Sequence, residues 1–139
     1  MMEPKITLVD DHTLFRNGLR GLLERVGGCR VVAEAADGEE FLALLPDLQT
    51  DVVFLDIQMD QPDGMETAKL LRRRGERSLL VFVTVLKECV FDAFAVEACG
   101  YLLKPLDSVR FQQTMDRVLR SLEQRTAEDI VIQRGTGCE

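Results

Sequence analysis

The chain has 139 residues and a mass of 15.7 kDa, a size at which a single domain is expected. Apolar residues make up 46% and charged residues 29% of the sequence, an ordinary composition for a domain with its own core. The 24 acidic and 17 basic residues give a formal net charge of −7, which argues against a nucleic-acid-binding surface because phosphates bind to basic patches.

The sequence shows no sign of a membrane segment, a secretion signal or a cysteine framework. Every apolar run falls well short of the roughly 20 residues of a membrane helix, and the opening MMEPK lacks a basic region followed by an apolar stretch. The cysteines Cys29, Cys89, Cys99 and Cys138 form no CxxC pair, and only His12 could join them as a nitrogen ligand. We therefore expect a cytoplasmic protein with reduced thiols and no zinc site.

Strand and helix patterns alternate along the chain. Short apolar runs predict five strands, at Lys5–Val9, Arg30–Ala33, Val52–Leu55, Leu79–Val83 and Tyr101–Leu103. Apolar residues at helical spacing predict five helices, one between Leu14 and Val26 and the others at Glu39–Leu45, Met65–Arg74, Cys89–Ala98 and Ser108–Leu122. This alternation with short loops predicts an α/β sandwich around a parallel sheet.

The last residues differ from the rest, so we assign residues 1–124 to one domain and 125–139 to a linker. After a polar stretch, Ile130–Ile132 is an apolar triplet and Gln133–Glu139 is typical of a turn. The triplet has two interpretations: a tail that packs weakly on the domain, or the first strand of a second domain that this chain lacks.

Polar side chains follow four of the predicted strands at the point where each strand ends. Asp10 and Asp11 follow the first strand, Asp56 the third, Thr84 the fourth and Lys104 the fifth. Because open parallel sheets bind ligands at the carboxyl ends of their strands, we expect these groups to converge. Each of them alone is more often a turn, cap or solvated residue, so the hypothesis depends on their occurring together.

Such a set suits phosphoryl chemistry. Three clustered carboxylates repel one another unless a cation lies among them, and an all-oxygen ligand set favours Mg²⁺. The metal, the Lys104 ammonium and the Thr84 hydroxyl would each meet a phosphoryl oxygen. Asp56 ends an interior strand and is the candidate nucleophile toward phosphorus, while Asp10 and Asp11 would hold the metal. The glycine-rich turn of dinucleotide-binding and phosphate-loop proteins is missing after the first strand.

Four segments together resemble the receiver domain of bacterial two-component response regulators, over about Lys5–Leu122. They are LVDDH at positions 8–12, FLDIQMDQPDGME at 54–66, VFVTV at 81–85 and GYLLKP at 100–105. The resemblance implies a flavodoxin-like receiver fold, a doubly wound five-stranded parallel sheet in the order 2-1-3-4-5 flanked by five helices. It also implies a cis peptide before Pro105.

The resemblance implies a role for each site residue. Asp56 would be the phosphoacceptor, and the Mg²⁺ ligands would be Asp11 directly, Asp10 mainly through water, Asp56 and the backbone carbonyl of Gln58. Thr84 and Lys104 would contact the phosphoryl group, and Tyr101 would be the aromatic switch residue.

Two positions depart from the family pattern. Asp60 stands where the family often has proline, which adds a negative charge near the site and alters the loop. Val85 stands where the family usually has alanine, glycine or serine, and its size would narrow access to Asp56. Gln58 and Leu86 occupy positions that tune the phosphoryl lifetime in the family.

The implied function is a phosphorylation-dependent signalling switch and not an enzyme in its own right, although it assists its own phosphotransfer and dephosphorylation. A sensor histidine kinase would phosphorylate Asp56, Thr84 would move inward and Tyr101 would follow, remodelling the face between the fourth and fifth helices. Phe91, Ala95, Tyr101 and Arg110 are candidates for that face. The alternative for Phe91 and Ala95 is a place in the core.

The output is suggested by two sub-patterns. DDHTLFRNGLRGLL at 10–23 resembles regulators with a helix-turn-helix output. The segments at 93–119 and 129–137 resemble LytTR-type regulators, whose output is a β-rich DNA-binding domain. We favour a LytTR-type parent that binds DNA only through an output domain absent here, with a homodimer as a further possibility. The alternatives are a stand-alone receiver acting on protein partners and, third, a phosphatase with a receiver-like fold.

Overall fold

Five strands and five helices alternate along the chain in the computed structural model, which describes residues 3–137 and, of these, the side chains of residues 3–125. The strands are β1 (Lys5–Val9), β2 (Arg30–Ala35), β3 (Val52–Leu55), β4 (Leu79–Thr84) and β5 (Gly100–Leu103). The helices are α1 (Thr13–Val26), α2 (Gly38–Leu44), α3 (Gly64–Arg73), α4 (Val90–Ala95) and α5 (Ser108–Gly137).

All neighbouring strands pair in parallel, in the order β2-β1-β3-β4-β5. This confirms the predicted doubly wound, flavodoxin-like α/β fold. The strand order reverses between β1 and β3, and open sheets of this kind form a crevice at such a reversal, outside the carboxyl ends of the strands. Within the described residues, none of the helices is both long and apolar enough to cross a membrane.

The sheet is covered on both faces because successive residues of each strand point to opposite sides. On β3, Val53 and Leu55 pack into a core shared with α2, α3 and α4, whereas Val52 and Phe54 pack into a second core with α1 and α5. All four side chains are at most 1% exposed. The continuous apolar run of β3 is therefore what a strand buried on both faces requires.

Two helices differ from the sequence-based expectation. The predicted helix Cys89–Ala98 shortens to α4, Val90–Ala95, because the chain turns sharply after Val96 and Glu97 adopts a left-handed φ of 56°. The interpretation of Ile130–Ile132 as a strand is wrong, because α5 continues through these residues to Gly137. A helix satisfies its backbone hydrogen bonds internally, whereas a lone strand without a neighbour does not. The boundary between residues 124 and 125 stays a prediction.

The loop after β3 is held against the sheet at Gly64, the first residue of α3. Its N–H donates to the Ile57 carbonyl at 2.9 Å, and the Asp63 side chain caps the helix by accepting from the Glu66 N–H at 2.8 Å. A Cβ at Gly64 would overlap the Asp56 carbonyl and lie 2.6 Å from the Ile57 Cα. Only glycine lets α3 begin so close to Asp56.

We expect Gly64→Ala to lower the free energy of unfolding by about 1–3 kcal/mol, because backbone atoms must move to accept the methyl group. Urea denaturation followed by far-UV circular dichroism measures this change. Gly18→Ala is the matched control: it adds the same methyl inside α1, where nothing lies within 4 Å of the new atom. The control should gain about 0.5–1 kcal/mol, and equal effects at the two glycines would contradict this account.

Candidate functional site

Four strand ends bring the predicted acidic, hydroxyl and ammonium groups to one edge of the sheet. Asp10 follows β1, Asp56 follows β3, Thr84 ends β4 and Lys104 follows β5. The Lys104 ammonium donates to Asp10 Oδ2 at 2.9 Å and to Asp56 Oδ2 at 3.1 Å. Asp10, Asp56 and Thr84 are 4%, 3% and 0% exposed. The arrangement is thus a buried carboxylate pair bridged by one cation.

Burial controls the protonation of this group. Desolvation raises the pKa of the Asp56 carboxyl and the Asp10 charge raises it further, although the Gln58 N–H and the Lys104 ammonium act in the opposite direction. Desolvation lowers the pKa of Lys104, but its hydrogen bonds to Asp10 and Asp56 outweigh this and the pKa is raised. The ammonium also lies 4.2 Å from the centroid of the Phe15 ring, a favourable position for a cation. Lys104 therefore stays charged, while an ionised Asp56 is costly.

The acidic side chains at this edge form a set of metal-ligand atoms. Asp10, Asp11, His12 and Asp56 each offer an atom, and these atoms all lie within 4.8 Å of one another. Oxygen atoms from three carboxylates fit Mg²⁺, which prefers such ligands. The His12 Nδ1 is 3.2 Å from Asp11 Oδ1. His12 was not predicted to belong to this cluster, although it directly follows the acid pair in the sequence.

The other predicted residues surround this cluster. The Gln58 side chain is exposed, and its backbone N–H donates to Asp56 Oδ1 at 3.1 Å. Val85, with 54% of its surface exposed, lines an open cavity of about 600 Å³ together with Asp56 and Lys104. Asp60 is exposed and is not one of the clustered ligands. The carboxylate of Asp56 is therefore reached through a cavity that Val85 borders.

Leu86 links the Thr84 hydroxyl to the Tyr101 side chain. The Leu86 N–H donates to Thr84 Oγ1 at 3.2 Å, and the Tyr101 hydroxyl donates to the Leu86 carbonyl. The Tyr101 ring packs 6.1 Å from the ring of Phe82, which belongs to β4. A displacement of the Thr84 hydroxyl would therefore reach Tyr101 through one peptide segment.

The helix α4 exposes two large aromatic side chains to solvent. Phe91 and Phe94 of α4 are 80% and 73% exposed, and Ala95 and Arg110 are exposed as well. The alternative that Phe91 and Ala95 belong to the core is wrong. Large exposed aromatic side chains on one short helix are typical of a protein-interaction surface.

The chain matches the response regulator receiver domain over residues 6–116. It belongs to that family. The predicted family is thereby confirmed, and the receiver match covers all of the strand ends described above.

Two curated relatives and one solved structure are similar to this receiver. The sensory transduction protein LytT of Bacillus cereus is 37% identical over 113 residues, which are 81% of this chain and 46% of LytT. The transcriptional regulatory protein BtsR of Escherichia coli K12 is 34% identical over 126 residues, 91% of this chain and 51% of BtsR. The response regulatory domain of mrkE from Klebsiella pneumoniae has a TM-score of 0.82 at 29% identity, covering 86% of this chain and 98% of that one.

The receiver spans about half the length of the curated relatives it matches. The similarity to LytT and BtsR agrees with the predicted likeness to LytTR-type regulators. The Lys104–Pro105 peptide of the receiver is cis, as the resemblance implied, and Gln61–Pro62 is a second cis peptide that was not predicted. Cys29, Cys89 and Cys99 are free thiols, and Cys138 lies outside the described residues.

We expect Asp56→Asn to raise the free energy of unfolding at pH 7 in metal-free buffer. Folding raises the pKa of Asp56 above its ordinary value of 3.8, so the native state binds this proton more tightly than the unfolded state. The resulting cost is absent below pH 3.8, where both states are protonated, and grows as pH rises through the native pKa. Urea titrations across this range should therefore show the variant's advantage widening with pH.

Asp60→Asn is the control for this comparison, since it removes the same charge from an exposed carboxylate in the same loop. Its stability relative to the unaltered chain should change little with pH. An Asp56→Asn variant that is less stable than the unaltered chain at pH 7 would refute the assigned cost of the buried charge.

Proposed function

We propose that Asp56 accepts a phosphoryl group from a sensor histidine kinase and that this modification switches an output. The observation that carries the proposal is the Asp56 carboxylate itself, 3% exposed, bridged by Lys104 to Asp10 and open to a cavity. A buried carboxylate with a charged partner at the edge of a cavity costs stability, and such a group is a candidate for a chemical role. Membership of the receiver family supports this reading.

The proposed transfer exchanges one bond to phosphorus for another. A carboxylate oxygen of Asp56 attacks the phosphorus, and the N–P bond of a kinase phosphohistidine breaks. The electron pair of that bond returns to the imidazole nitrogen, which takes up a proton. Lys104, already charged and 3.1 Å from Asp56, meets the incoming phosphoryl oxygens as a point charge.

The metal-ligand set supports this chemistry. Asp10, Asp11 and Asp56, with the backbone carbonyl of Gln58, would hold Mg²⁺. When bound, the ion neutralises charge on the phosphoryl oxygens. The cavity beside Val85 admits a phosphodonor to Asp56 from the solvent side.

The proposed switch follows from the contacts of Leu86. A phosphoryl group on Asp56 offers the Thr84 hydroxyl a charged acceptor for its proton and draws the side chain toward Asp56. Movement of Thr84 would break its bond with the Leu86 N–H and release the Leu86 carbonyl that anchors Tyr101. The neighbouring face with Phe91 and Phe94 would then change, as a shift between two populated states.

We expect Asp56→Asn to abolish covalent labelling by acetyl phosphate in the presence of Mg²⁺, because the amide is no nucleophile. Intact-protein mass spectrometry and Phos-tag gels measure the added phosphoryl group, and excess EDTA should abolish labelling of the unaltered chain. Asp60→Asn is the matched control and should be labelled normally. Full labelling of Asp56→Asn would overturn the assignment of the phosphoacceptor.

We expect Thr84→Val to slow labelling about tenfold or more, because one donor to the phosphoryl oxygens is lost. Once labelled, the variant should also show smaller changes in the NMR amide signals of Leu86 and of α4 than the unaltered chain does. Thr84→Ser keeps the hydroxyl and should restore both behaviours. Undiminished changes in α4 with Thr84→Val would contradict transmission through Leu86.

The output we propose is transcriptional regulation in the cytoplasm through a DNA-binding domain outside these residues. BtsR is named a transcriptional regulatory protein and LytT a sensory transduction protein, and each is about twice the length matched here. The net charge of −7 argues that these residues themselves do not bind DNA. Sequencing the gene beyond codon 139 tests this proposal: a basic, β-rich extension supports it and a stop codon refutes it.

A stand-alone receiver is the second candidate, favoured by the exposed side chains of Phe91 and Phe94. Such a surface suits a protein partner or a second copy of the chain. In that case phosphorylation would change binding to the partner without any DNA contact. Sedimentation of the chain with and without acetyl phosphate separates self-association from a monomeric switch.

A further inference from the structure

Arg16 of α1 joins the acidic turn after β1 to the end of β2. Its Nε is 2.9 Å from Glu34 Oε1, and its Nη1 donates to the backbone carbonyl of Asp10. The Arg16 and Glu34 side chains are only 15% and 16% exposed. Neither residue was singled out from the sequence, because nothing in the local pattern distinguishes this arginine from its neighbour Arg20.

The contact falls on the peptide that connects the two predicted metal ligands. The Asp10 carbonyl is part of the planar peptide group between Asp10 and Asp11. The orientation of this carbonyl therefore fixes the position of the Asp11 backbone, from which the Asp11 carboxylate extends. The Asp10 N–H is fixed as well, since it donates to the Ala35 carbonyl at 3.1 Å. Both backbone polar groups of Asp10 are thus held from β2, one directly through Ala35 and the other through Glu34 and Arg16.

Glu34 also determines what Arg16 is able to bind. An arginine beside clustered carboxylates would ordinarily pair with them and compete with a metal ion for their oxygens. Here the Arg16 Nε donates to the Glu34 carboxylate, and the Arg16 Nη1 donates to the backbone carbonyl of Asp10 and not to its carboxylate. The carboxylate oxygens of Asp10 are bonded to the Lys104 ammonium and the His12 N–H instead.

We propose that Arg16 is a positioning residue for the metal-binding acid pair, held in place by Glu34. It tunes the affinity for Mg²⁺ by fixing the Asp10–Asp11 peptide without itself contacting the ion. The inference rests on the proposed function, because it assumes that Asp10 and Asp11 hold the metal. Arginine suits this role and lysine does not, since a planar fork reaches a carboxylate and a carbonyl at once.

The test measures Mg²⁺ binding by isothermal titration calorimetry and acetyl phosphate labelling as a function of Mg²⁺ concentration. For Arg16→Ala we expect the Kd for Mg²⁺ to rise about tenfold, a usual effect of losing a group that orients a metal ligand. The Mg²⁺ concentration for half-maximal labelling should rise equally. The labelling rate at saturating Mg²⁺ should stay within about threefold of the unaltered chain, because Asp56, Thr84 and Lys104 are untouched.

Three further variants separate positioning from charge and from stability. Arg16→Lys keeps the charge but not both contacts, so its Kd should rise severalfold as well. Glu34→Gln loosens Arg16 while leaving the acid turn intact, and it should shift the Kd in the same direction. Arg20→Ala is the matched control, because Arg20 pairs with the same Glu34 but is bonded to no atom of Asp10, and its Kd should stay within about twofold.

The outcomes are distinct. A Kd unchanged in Arg16→Ala, or restored in full by Arg16→Lys, overturns the positioning role and leaves the proposed function standing. If Arg20→Ala raises the Kd as much as Arg16→Ala does, the effect is due to the loss of positive charge in general, and the positioning role of Arg16 is also overturned. If Arg16→Ala fails to fold by circular dichroism, Arg16→Lys and Glu34→Gln decide, and loss of fold in all three assigns a structural role instead. An unaltered chain that binds no Mg²⁺ and takes no label refutes the proposed function itself.

Discussion

The Lys104 ammonium is the contact on which the site depends. It meets Asp10 and Asp56, which lie 94 and 48 residues earlier in the chain, and both carboxylates are almost fully buried. Two buried carboxylates without a cation would repel each other and lose their hydration. Since β5 lies two strands from β3, the Lys104 side chain reaches across the end of β4. The parallel order of the sheet therefore decides which charges meet.

The Lys104 contact leaves the charges at the site unbalanced, with more carboxylates than ammonium groups. Such an imbalance suits a switch. One ammonium faces two buried carboxylates, with the exposed Asp11 beside them, so the edge of the sheet carries excess negative charge. A cation relieves this charge and a phosphoryl group adds to it. The same edge borders α4, a helix of six residues with two largely exposed phenylalanines. A short helix with few buried side chains costs little to rearrange, so it is the element that responds most readily to a change in charge.

Much of this arrangement could be read from the sequence, for a physical reason. Five apolar runs that alternate with helical patterns restrict the chain to a parallel sheet. Because the carboxyl ends of parallel strands lie at the same edge of the sheet, the proximity of Asp56 and Lys104 could be predicted from the sequence. Arg16 and Phe15 could not, since their contacts depend on how a long side chain or a ring is turned by tertiary packing. The prediction of a strand at Ile130–Ile132 was wrong because β-branched residues favour strands only where a neighbouring strand exists.

The structural elements on the two sides of Asp56 make different sets of supporting contacts. Four strands place a site residue at their carboxyl ends, whereas β2, at the edge of the sheet, supplies none and instead supports Asp10 through Ala35 and Glu34. On the other side, Leu86 joins the Thr84 hydroxyl at the end of β4 to the Tyr101 hydroxyl on β5. We therefore expect substitutions near β2 and α1 to act on the proposed metal binding, and substitutions near β4 and β5 to act on the proposed response. Because these two sets of contacts involve different residues, we expect metal affinity and output to vary separately in a single small domain.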